Sequence, residues 1–342
     1  MRYTLTVLGL SGLVSVIGCS GTASPTVAMH AGDSAQSVAR DVPFLGALRS
    51  SVESMPMDPP WPHASMPSHH ASHAQENTDG ELNCPPDRVY VADVQTSQID
   101  VYPAHNPLRP KPCGYISQGV YGPSGISVGQ DGTLYVSDYD FYAVTVYHRN
   151  SLRASRTILV PSKPQYAYGG ADGTLYVSES YANQIQEFAP GSKKPTLTLS
   201  VTYPWGVATD SANNLYVTSD VCSGSKCVGH IIEFAPGSTT GTDLGIMIGF
   251  DFGITIAKDN SIVVTDGANV DVFPPGATTP SRSFPVVNPF QIAFDQHERR
   301  LFDATDRSGV VDIYDFKTGA LIGTMSNFKE PDGVALDPPA PY

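Results

Sequence analysis

The chain has 342 residues, of which 41% are hydrophobic and 15% are charged, a composition that suits a large β-rich core. Its formal net charge is −13, from 33 acidic and 20 basic residues. Such a surface should repel nucleic acid, and no stripe of Lys or Arg offsets it, so we expect no nucleic-acid partner.

The N-terminus is predicted to be a signal peptide, residues 1–18. Arg2 is the only charged residue before an apolar run over residues 3–18, which is too short for an ordinary membrane span. Cys19 follows a small residue, an arrangement that resembles the lipobox of bacterial lipoproteins. The resemblance implies a lipidated Cys19 and a membrane anchor in a bacterial cell envelope. The alternative is an ordinary secretory signal in which Cys19 is incidental.

Residues 19–83 are predicted to be a flexible tether. The segment is rich in Ser, Ala, Pro, Met and His and lacks strand alternation. Its histidines at positions 63, 69, 70 and 73 could chelate zinc or copper, because neutral imidazole is a ligand for both metals. A polar linker is the favoured interpretation, because nothing in the segment would hold such ligands in place.

From residue 84 onward the chain repeats one pattern roughly every 40 residues. The most regular element is a short strand that ends near an acid, at residues 89–93, 134–138, 175–179, 215–220, 262–266 and 301–306. A Pro-x-Gly turn and an alternating segment precede most copies, and two further strands follow most of them. Four antiparallel strands per repeat predict the blade of a β-propeller.

The two ends of the repeat region complement each other. Residues 330–337 supply a first strand with no second, whereas the copy at 89–93 lacks a first strand. Pairing the two would complete a sixth blade and leave no open sheet edge at the closure. We therefore predict an all-β fold, a six-bladed propeller over residues 84–342 whose C-terminal strand pairs with the N-terminal strands.

The repeat order resembles that of NHL-type and gluconolactonase-like propellers over about residues 87–342. It reads Pro-x-Gly-Val-Ala-x-Asp, then Gly-x-Leu-Tyr-Val-x-Asp, then a strand ending in an aromatic residue. Proteins with this fold include scaffolds, ligand binders, lactonases and lyases, so the resemblance implies the fold and no single function.

The resemblance also implies a site at the mouth of the central channel. In an NHL-like frame the middle residue of each Pro-x-Gly turn points there, and these positions hold Ser124, Gln165, Trp205, Phe252, Phe290 and Asp332. The three aromatic rings could stack on a flat or sugar-like ligand while Gln165 and Asp332 fix its polar groups. The alternative is that the rings only plug a narrow pore.

An enzymatic function is the alternative to binding. Gluconolactonase-like propellers hold a divalent cation with a Glu, an Asn and an Asp in such turns, and the segment around Asp332 resembles the one that carries the Asp. The chain has no Pro-Asn-Gly and no second carboxylate at an equivalent turn position, whereas a hard cation needs several oxygen ligands. We therefore predict a monomeric, non-catalytic protein without metal or cofactor that binds an envelope protein or small ligand. The alternative is a divergent metal-dependent lactonase or hydrolase that uses Asp332.

The acids near the ends of the second strands recur through the repeats: Asp93, Asp138, Glu179, Asp220, Asp266 and Asp306. A ring of cation ligands is one interpretation of this pattern. We favour a structural role, because a carboxylate at a strand end commonly accepts hydrogen bonds from turn N–H groups.

Four cysteines remain once Cys19 is set aside, and export leads into an oxidising compartment. Cys222 and Cys227 flank a short loop between two strands of one blade, and Cys84 and Cys113 bracket the N-terminal strands. We predict these two local disulfides. Metal binding by the four cysteines is the alternative, and the lack of Cys-x-x-Cys weighs against it.

Overall fold

The computed structural model describes residues 80–105, 111–223, 226–249, 253–305 and 308–341. The chain divides into two compact units, Met1–Asp41 and Val42–Tyr342, and all described residues belong to the second unit. The predicted signal peptide, Cys19, the histidines at 63–73 and Phe252 lie outside the described residues. Within the described ranges no helix is long and apolar enough to cross a membrane.

The described residues form β-strands and two short 3-10 helices, with no α-helix among them. The first twelve strands are β1 (Arg88–Asp93), β2 (Gln98–Pro103), β3 (Gly114–Ile116), β4 (Pro123–Val128), β5 (Leu134–Asp138), β6 (Ala143–Tyr147), β7 (Ala154–Leu159), β8 (Tyr166–Gly169), β9 (Leu175–Glu179), β10 (Gln184–Phe188), β11 (Leu197–Ser200) and β12 (Pro204–Thr209). The other strands are β13 (Leu215–Ser223), β14 (Lys226–Phe234), β15 (Thr242–Ile248), β16 (Ile254–Ile256), β17 (Ile262–Asp266), β18 (Asn269–Phe273), β19 (Arg282–Pro285), β20 (Pro289–Phe294), β21 (Arg300–Thr305), β22 (Val310–Asp315), β23 (Ala320–Ser326) and β24 (Pro331–Asp337). The 3-10 helices are η1 (Tyr139–Phe141) after β5 and η2 (Ser180–Ala182) after β9.

Antiparallel pairing arranges the strands in four-stranded units, which we call modules I to VI. Module I has the order β24-β1-β2-β3, and modules II to VI contain β4–β7, β8–β11, β12–β15, β16–β19 and β20–β23. A parallel bridge between Gly125 and Tyr166 joins modules II and III into one eight-stranded sheet. The predicted pairing of the C-terminal strand with the N-terminal strand is present, because β24 pairs with β1 from Arg88↔Asp337 to Asp93↔Pro331.

The hydrophobic core lies between successive modules. Because successive side chains of a strand point to opposite faces, Val89 and Val91 of β1 pack with module VI, while Tyr90 and Ala92 pack with module II. Corresponding clusters fill the II/III, III/IV, IV/V and V/VI interfaces. Each module therefore buries both faces.

The first strand of each module lies next to the first strands of its neighbours. These inner strands, β4, β8, β12, β16, β20 and β24, contact one another in succession, and β24 also contacts β4. We call the face where the inner strands begin the front face and the opposite one the back face. Antiparallel pairing places the ends of the second strands, η1 and η2 on the front face as well.

A buried ion pair fixes β24 to its neighbours near the back face. The Asp337 carboxylate is fully buried, with its Oδ2 3.6 Å from Arg88 Nε. It also accepts hydrogen bonds from Arg149 of module II. Arg88 is only 2% exposed and donates to Asn150 Oδ1 at 2.7 Å. Charged groups at this depth need such partners, because an unpaired buried charge is strongly destabilising.

Candidate functional site

The middle of the space between the inner strands is filled by Gln291 of β20. Its amide oxygen accepts from Ile126 N at 3.0 Å and Val334 N at 3.3 Å. Its amide nitrogen lies within hydrogen-bonding distance of the Ile126 carbonyl, the Val334 carbonyl and the Tyr166 hydroxyl, at 2.6, 2.9 and 2.6 Å. One side chain therefore connects β20 to β4, β8 and β24.

Gln291 and Tyr166 occupy positions where other modules have glycine. In modules II and I these positions are Gly125 and Gly333, and a Cβ on Gly333 would lie 2.5 Å from Ser124 O. A Cβ on Gly125 would lie 2.5 Å from the Tyr166 ring. The two large side chains fit only because the facing inner strands have no side chain at this level.

A small cavity lies on the back-face side of Gln291. Its volume is ≈ 70 Å³, and the ends of the inner strands line it together with residues 339–341 near the C-terminus. Pockets for drug-sized ligands are commonly several times larger, about 300 Å³ or more. The cavity is lined by the back-face ends of the inner strands, whereas the predicted channel mouth lies at their front-face ends.

Five of the six predicted mouth residues, all except the undescribed Phe252, occupy equivalent positions on the front face. Ser124, Trp205, Phe290 and Asp332 are the second residues of β4, β12, β20 and β24, and Gln165 directly precedes β8. Ser124, Gln165 and Trp205 are buried, whereas Phe290 and Asp332 are half-buried. The indole N–H of Trp205 donates to Asp220 Oδ2 at 3.1 Å, so this polar group is paired inside the protein.

A row of aromatic side chains lies on the front face, and the sequence analysis identified only its tryptophan, Trp205. We call this row the aromatic arc and define it by Tyr139, Tyr181, Tyr203 and Trp205. The hydroxyl oxygens of Tyr139 and Tyr181 are 3.1 Å apart. The ring centroids of Tyr181 and Tyr203 are 6.0 Å apart, and those of Tyr203 and Trp205 are 5.8 Å apart. Because the three tyrosines are half-buried, the arc exposes aromatic surface across modules II to IV.

The short helices after the second strands position the arc. Tyr139 begins η1 and Tyr181 is the middle residue of η2, and both helices end at a residue with left-handed backbone, Tyr142 (φ 55°) and Asn183 (φ 53°). These turns reverse the chain into the third strands β6 and β10. Tyr203 also has a positive φ, 47°, immediately before β12. A sequence signal for the arc was available. Tyr139 directly follows the second strand of module II, and Tyr181 comes two residues after the second strand of module III.

A lysine lies over the first ring of the arc. Lys163 Nζ is 4.3 Å from the centroid of the Tyr139 ring and 3.9 Å from Asp140 Oδ1. A cation at this distance from an aromatic face is attracted by the ring quadrupole. The loop that holds Lys163 is fixed through its backbone, because Ser162 N donates to Glu179 Oε2 at 2.7 Å.

A long hairpin borders the arc. Strands β13 and β14 pair from Leu215↔Phe234 to Ser223↔Lys226, whereas Pro204 at the start of β12 already pairs with Ser219. Residues 220–223 and their partners 226–229 therefore extend beyond the front end of β12, and we call these two segments the arm. A disulfide between Cys222 and Cys227 crosses the arm. The cross-strand partners Val221 and Val228 are 49% and 39% exposed, and Met247 of β15 is 62% exposed.

Both predicted disulfides are present, Cys84–Cys113 and Cys222–Cys227. They indicate an extracellular or periplasmic location, because disulfides persist in oxidising compartments. The described residues contain no group of three or more His, Cys, Asp or Glu side chains arranged to hold a metal ion.

Of the acids at the second-strand ends, Asp93, Asp138, Glu179 and Asp266 accept hydrogen bonds from the loops that lead into the inner strands, as predicted, whereas Asp306 lies outside the described residues. Asp138 Oδ1 accepts from Tyr121 N at 3.0 Å, and Asp93 Oδ2 accepts from Lys329 N at 2.7 Å. Glu179 Oε2 accepts the hydrogen bond from Ser162 N that is described above. Asp220 differs, because in module IV Ser219 holds the position of Asp138 in the register, and Asp220 instead binds the Trp205 indole.

Burial raises the pKa of several of these carboxyl groups. Desolvation raises the pKa of Asp138 to about 8, although hydrogen bonds from the Thr145 hydroxyl and Tyr121 N act in the opposite direction. Desolvation likewise raises the pKa of Glu179 to about 7, against hydrogen bonds from Gln184 and Ser162. No described cation contacts either group closely enough to reverse the effect of burial.

No family model matches the chain, and no curated protein is detectably similar to it in sequence. Solved structures are similar in fold. A structure described as a nidogen/laminin complex aligns with a TM-score of 0.59 at 16% identity, covering 73% of this chain and 98% of that chain. A Kuenenia stuttgartiensis hydrazine synthase aligns with a TM-score of 0.57 at 16% identity, covering 78% and 92%. A protein of unknown function from Bacteroides caccae aligns with a TM-score of 0.57 at 14% identity, covering 74% and 99%.

The strand topology and these similarities define a β-propeller fold. At identities this low the likeness concerns the fold alone, and folds of this kind have many unrelated functions.

Proposed function

We propose that this protein is a non-catalytic binding propeller of the bacterial cell envelope, and that its front face binds a protein partner. The observation that supports this most directly is the aromatic arc. Tyr and Trp are the residue types most enriched at the energetic centres of protein interfaces, because they provide a large apolar area with a polar group at one end.

The composition around the arc also favours a protein partner over a small ligand. The arm adds the exposed pair Val221 and Val228 and, beside it, Met247. Interfaces are enriched in aromatic residues and Met at their centres and are polar at their rims. The space between the inner strands, in contrast, is occupied by Gln291 and leaves only a small cavity.

In this proposal the propeller has six blades that close into a ring. The six interface clusters support closure, because one of them joins module VI to module I. The succession of contacts between inner strands, which returns from β24 to β4, supports it as well. The predicted signal peptide, tether and lipidated Cys19 would place the ring at a membrane surface of the envelope, in agreement with the two disulfides.

Front-face variants test the proposal. Purified protein is mixed with a solubilised envelope extract and crosslinked, and captured proteins are compared between the wild type and the Tyr181→Ser/Tyr203→Ser double variant. The matched control is Tyr115→Ser, which changes a 36% exposed tyrosine on the outer strand β3. We expect a specific partner whose capture falls by roughly tenfold or more in the double variant, as for interface hot spots, and is unchanged in the control.

Equal capture by the wild type, the double variant and the control would contradict binding through the front face. Divalent-cation-dependent hydrolysis of lactones that disappears in Asp332→Ala would instead support the hydrolase alternative. Circular dichroism and melting curves on every variant separate loss of binding from loss of the fold.

A further inference from the structure

We propose that the Tyr139 ring and the Asp140 carboxylate form a binding site for a cationic side chain of the partner, and that Lys163 occupies this site in the free protein. This inference rests on the proposed function, because it names the chemistry recognised at one end of the aromatic arc. The partner segment is therefore basic, with a Lys or an Arg that replaces the Lys163 ammonium.

The geometry around Lys163 is that of a cation site. Its Nζ is 4.3 Å from the centroid of the Tyr139 ring and 3.9 Å from Asp140 Oδ1, so an aromatic face and a carboxylate attract the same ammonium. The combination of a ring face and an anion is suited to Lys and Arg side chains. The ammonium group that occupies the site in the free protein is therefore of the same chemical class as the ligand we propose.

Lys163 is a replaceable occupant. The Asp140 side chain remains 65% exposed beside the lysine, so most of its carboxylate surface is open to a second cation. The Lys163 side chain is 24% exposed, but an ion pair whose acid is this exposed is weak, and a lysine side chain is flexible. The backbone of the loop is held separately, by the hydrogen bond from Ser162 N to Glu179. The Lys163 side chain can therefore leave without disturbing the loop.

Charge complementarity also favours a basic partner. The chain has a net charge of −13, so its long-range field attracts positively charged segments and repels acidic ones. Arg fits the site better than Lys, because a planar guanidinium stacks on an aromatic ring. The hydroxyl oxygens of Tyr139 and Tyr181, 3.1 Å apart, lie at the same end of the arc and can accept its remaining hydrogen bonds.

A peptide titration tests the inference. The probe is an acetylated, amidated Gly-Arg-Gly-Arg-Gly peptide, and the matched control peptide has citrulline, the neutral isostere of arginine, at both Arg positions. Calorimetry gives the affinity of each peptide for the full chain and for Lys163→Met, Tyr139→Leu, Tyr139→Phe and Asp140→Asn. Tyr139→Phe keeps the ring and removes only the hydroxyl, and Asp140→Asn changes an exposed group, so both should fold normally.

We expect Lys163→Met to bind the arginine peptide roughly threefold to fivefold more tightly than the wild type, because the internal competitor is gone. Tyr139→Leu and Asp140→Asn should each weaken binding by a similar factor, whereas Tyr139→Phe should keep most of it. The citrulline peptide should not bind. Unchanged or weaker binding to Lys163→Met, equal binding of the two peptides, or no binding of the arginine peptide at all would each overturn the inference.

The same variants separate this inference from the proposed function. If Tyr181→Ser/Tyr203→Ser abolishes capture of the envelope partner but neither Lys163→Met nor Asp140→Asn changes it, the front face binds its partner without a cation in this site. In that case the proposed function stands and the inference fails. Unaltered capture in every variant would contradict both.

Discussion

The space between the inner strands and the front face have similar residue types but opposite organisation. Between the inner strands, Gln291 and Tyr166 are buried and bound to each other and to the backbone of β4 and β24. On the front face, Tyr139, Tyr181 and Tyr203 contact one another and remain half-exposed. The inner residues therefore stabilise the fold, and only the outer ones have surface left for a partner. The candidate site therefore lies on the front face and not in the space between the inner strands.

The largest expected effect on stability concerns the buried ion pair of Asp337. In Asp337→Asn the Arg88 guanidinium, 2% exposed, loses its carboxylate. Removal of one partner of a buried pair costs about 3–5 kcal/mol. The free energy of unfolding from urea titration measures this loss. Asp243→Asn is the matched control, because its partner His230 and Asp243 itself are partly exposed, and it should cost under about 1 kcal/mol.

A similar loss of unfolding free energy in Asp337→Asn and Asp243→Asn would mean that burial does not determine how much each ion pair contributes to stability. Binding of the envelope partner should not change in Asp337→Asn at temperatures where the protein remains folded, because Asp337 lies near the back face and the arc lies on the front face.

The next effect in size concerns Gln291. Gln291→Leu leaves the Ile126 N–H and the Tyr166 hydroxyl without this partner in a buried setting. Unsatisfied buried groups cost about 1–3 kcal/mol each, so we expect a loss of roughly 2–4 kcal/mol with unchanged partner binding. The control Gln130→Leu removes an exposed hydrogen bond to Ala340 O and should be nearly neutral. Loss of partner binding in a folded Gln291→Leu protein would show that the inner space and the front face are coupled.

A pH titration tests the buried acids that support the front-face loops. The folded-state pKa of Asp138 is raised to about 8 by burial, and that of Glu179 to about 7. These pKa values lie above those of carboxyl groups in the unfolded chain, which titrate at about pH 4. The folded state therefore binds more protons than the unfolded state between about pH 4 and the folded-state pKa values. Stability is therefore greatest in acid and falls as the pH rises through about 7 and then about 8. Melting curves should shift downward between about pH 5 and about pH 9.

Asp138→Asn is the informative variant in that titration. It removes one titrating group, so its melting temperature should depend less on pH than that of the wild type, while its stability in acid changes little. If the wild type is instead more stable at alkaline pH, the buried acids are ionised in the fold and the assignment is wrong.

The strand framework was predictable because its signals are local. The repeated strand predicted at 134–138 is β5 with the same bounds, and the two disulfides formed as predicted. Side chains that act between modules were not predictable from such patterns. Gln291 binds Ile126 across 165 residues, and Tyr139 meets Tyr181 across 42. The one-residue shift of Asp220 in module IV, in contrast, follows from the extra residue of its strand segment at 215–220.

The smallest expected effect on global stability concerns the arm. Its disulfide closes a loop of only a few residues, so the loop-entropy estimate for Cys222→Ser/Cys227→Ser is about 2 kcal/mol, against about 3.5 kcal/mol for the longer loop in Cys84→Ser/Cys113→Ser. Because the arm extends beyond its neighbour β12, much of its loss should appear as local fraying instead of a lower melting temperature. Hydrogen exchange at Val221 and Val228 should accelerate, and partner capture should weaken if the arm contributes to the interface. Unchanged exchange at both valines would show that strand pairing alone orders the arm.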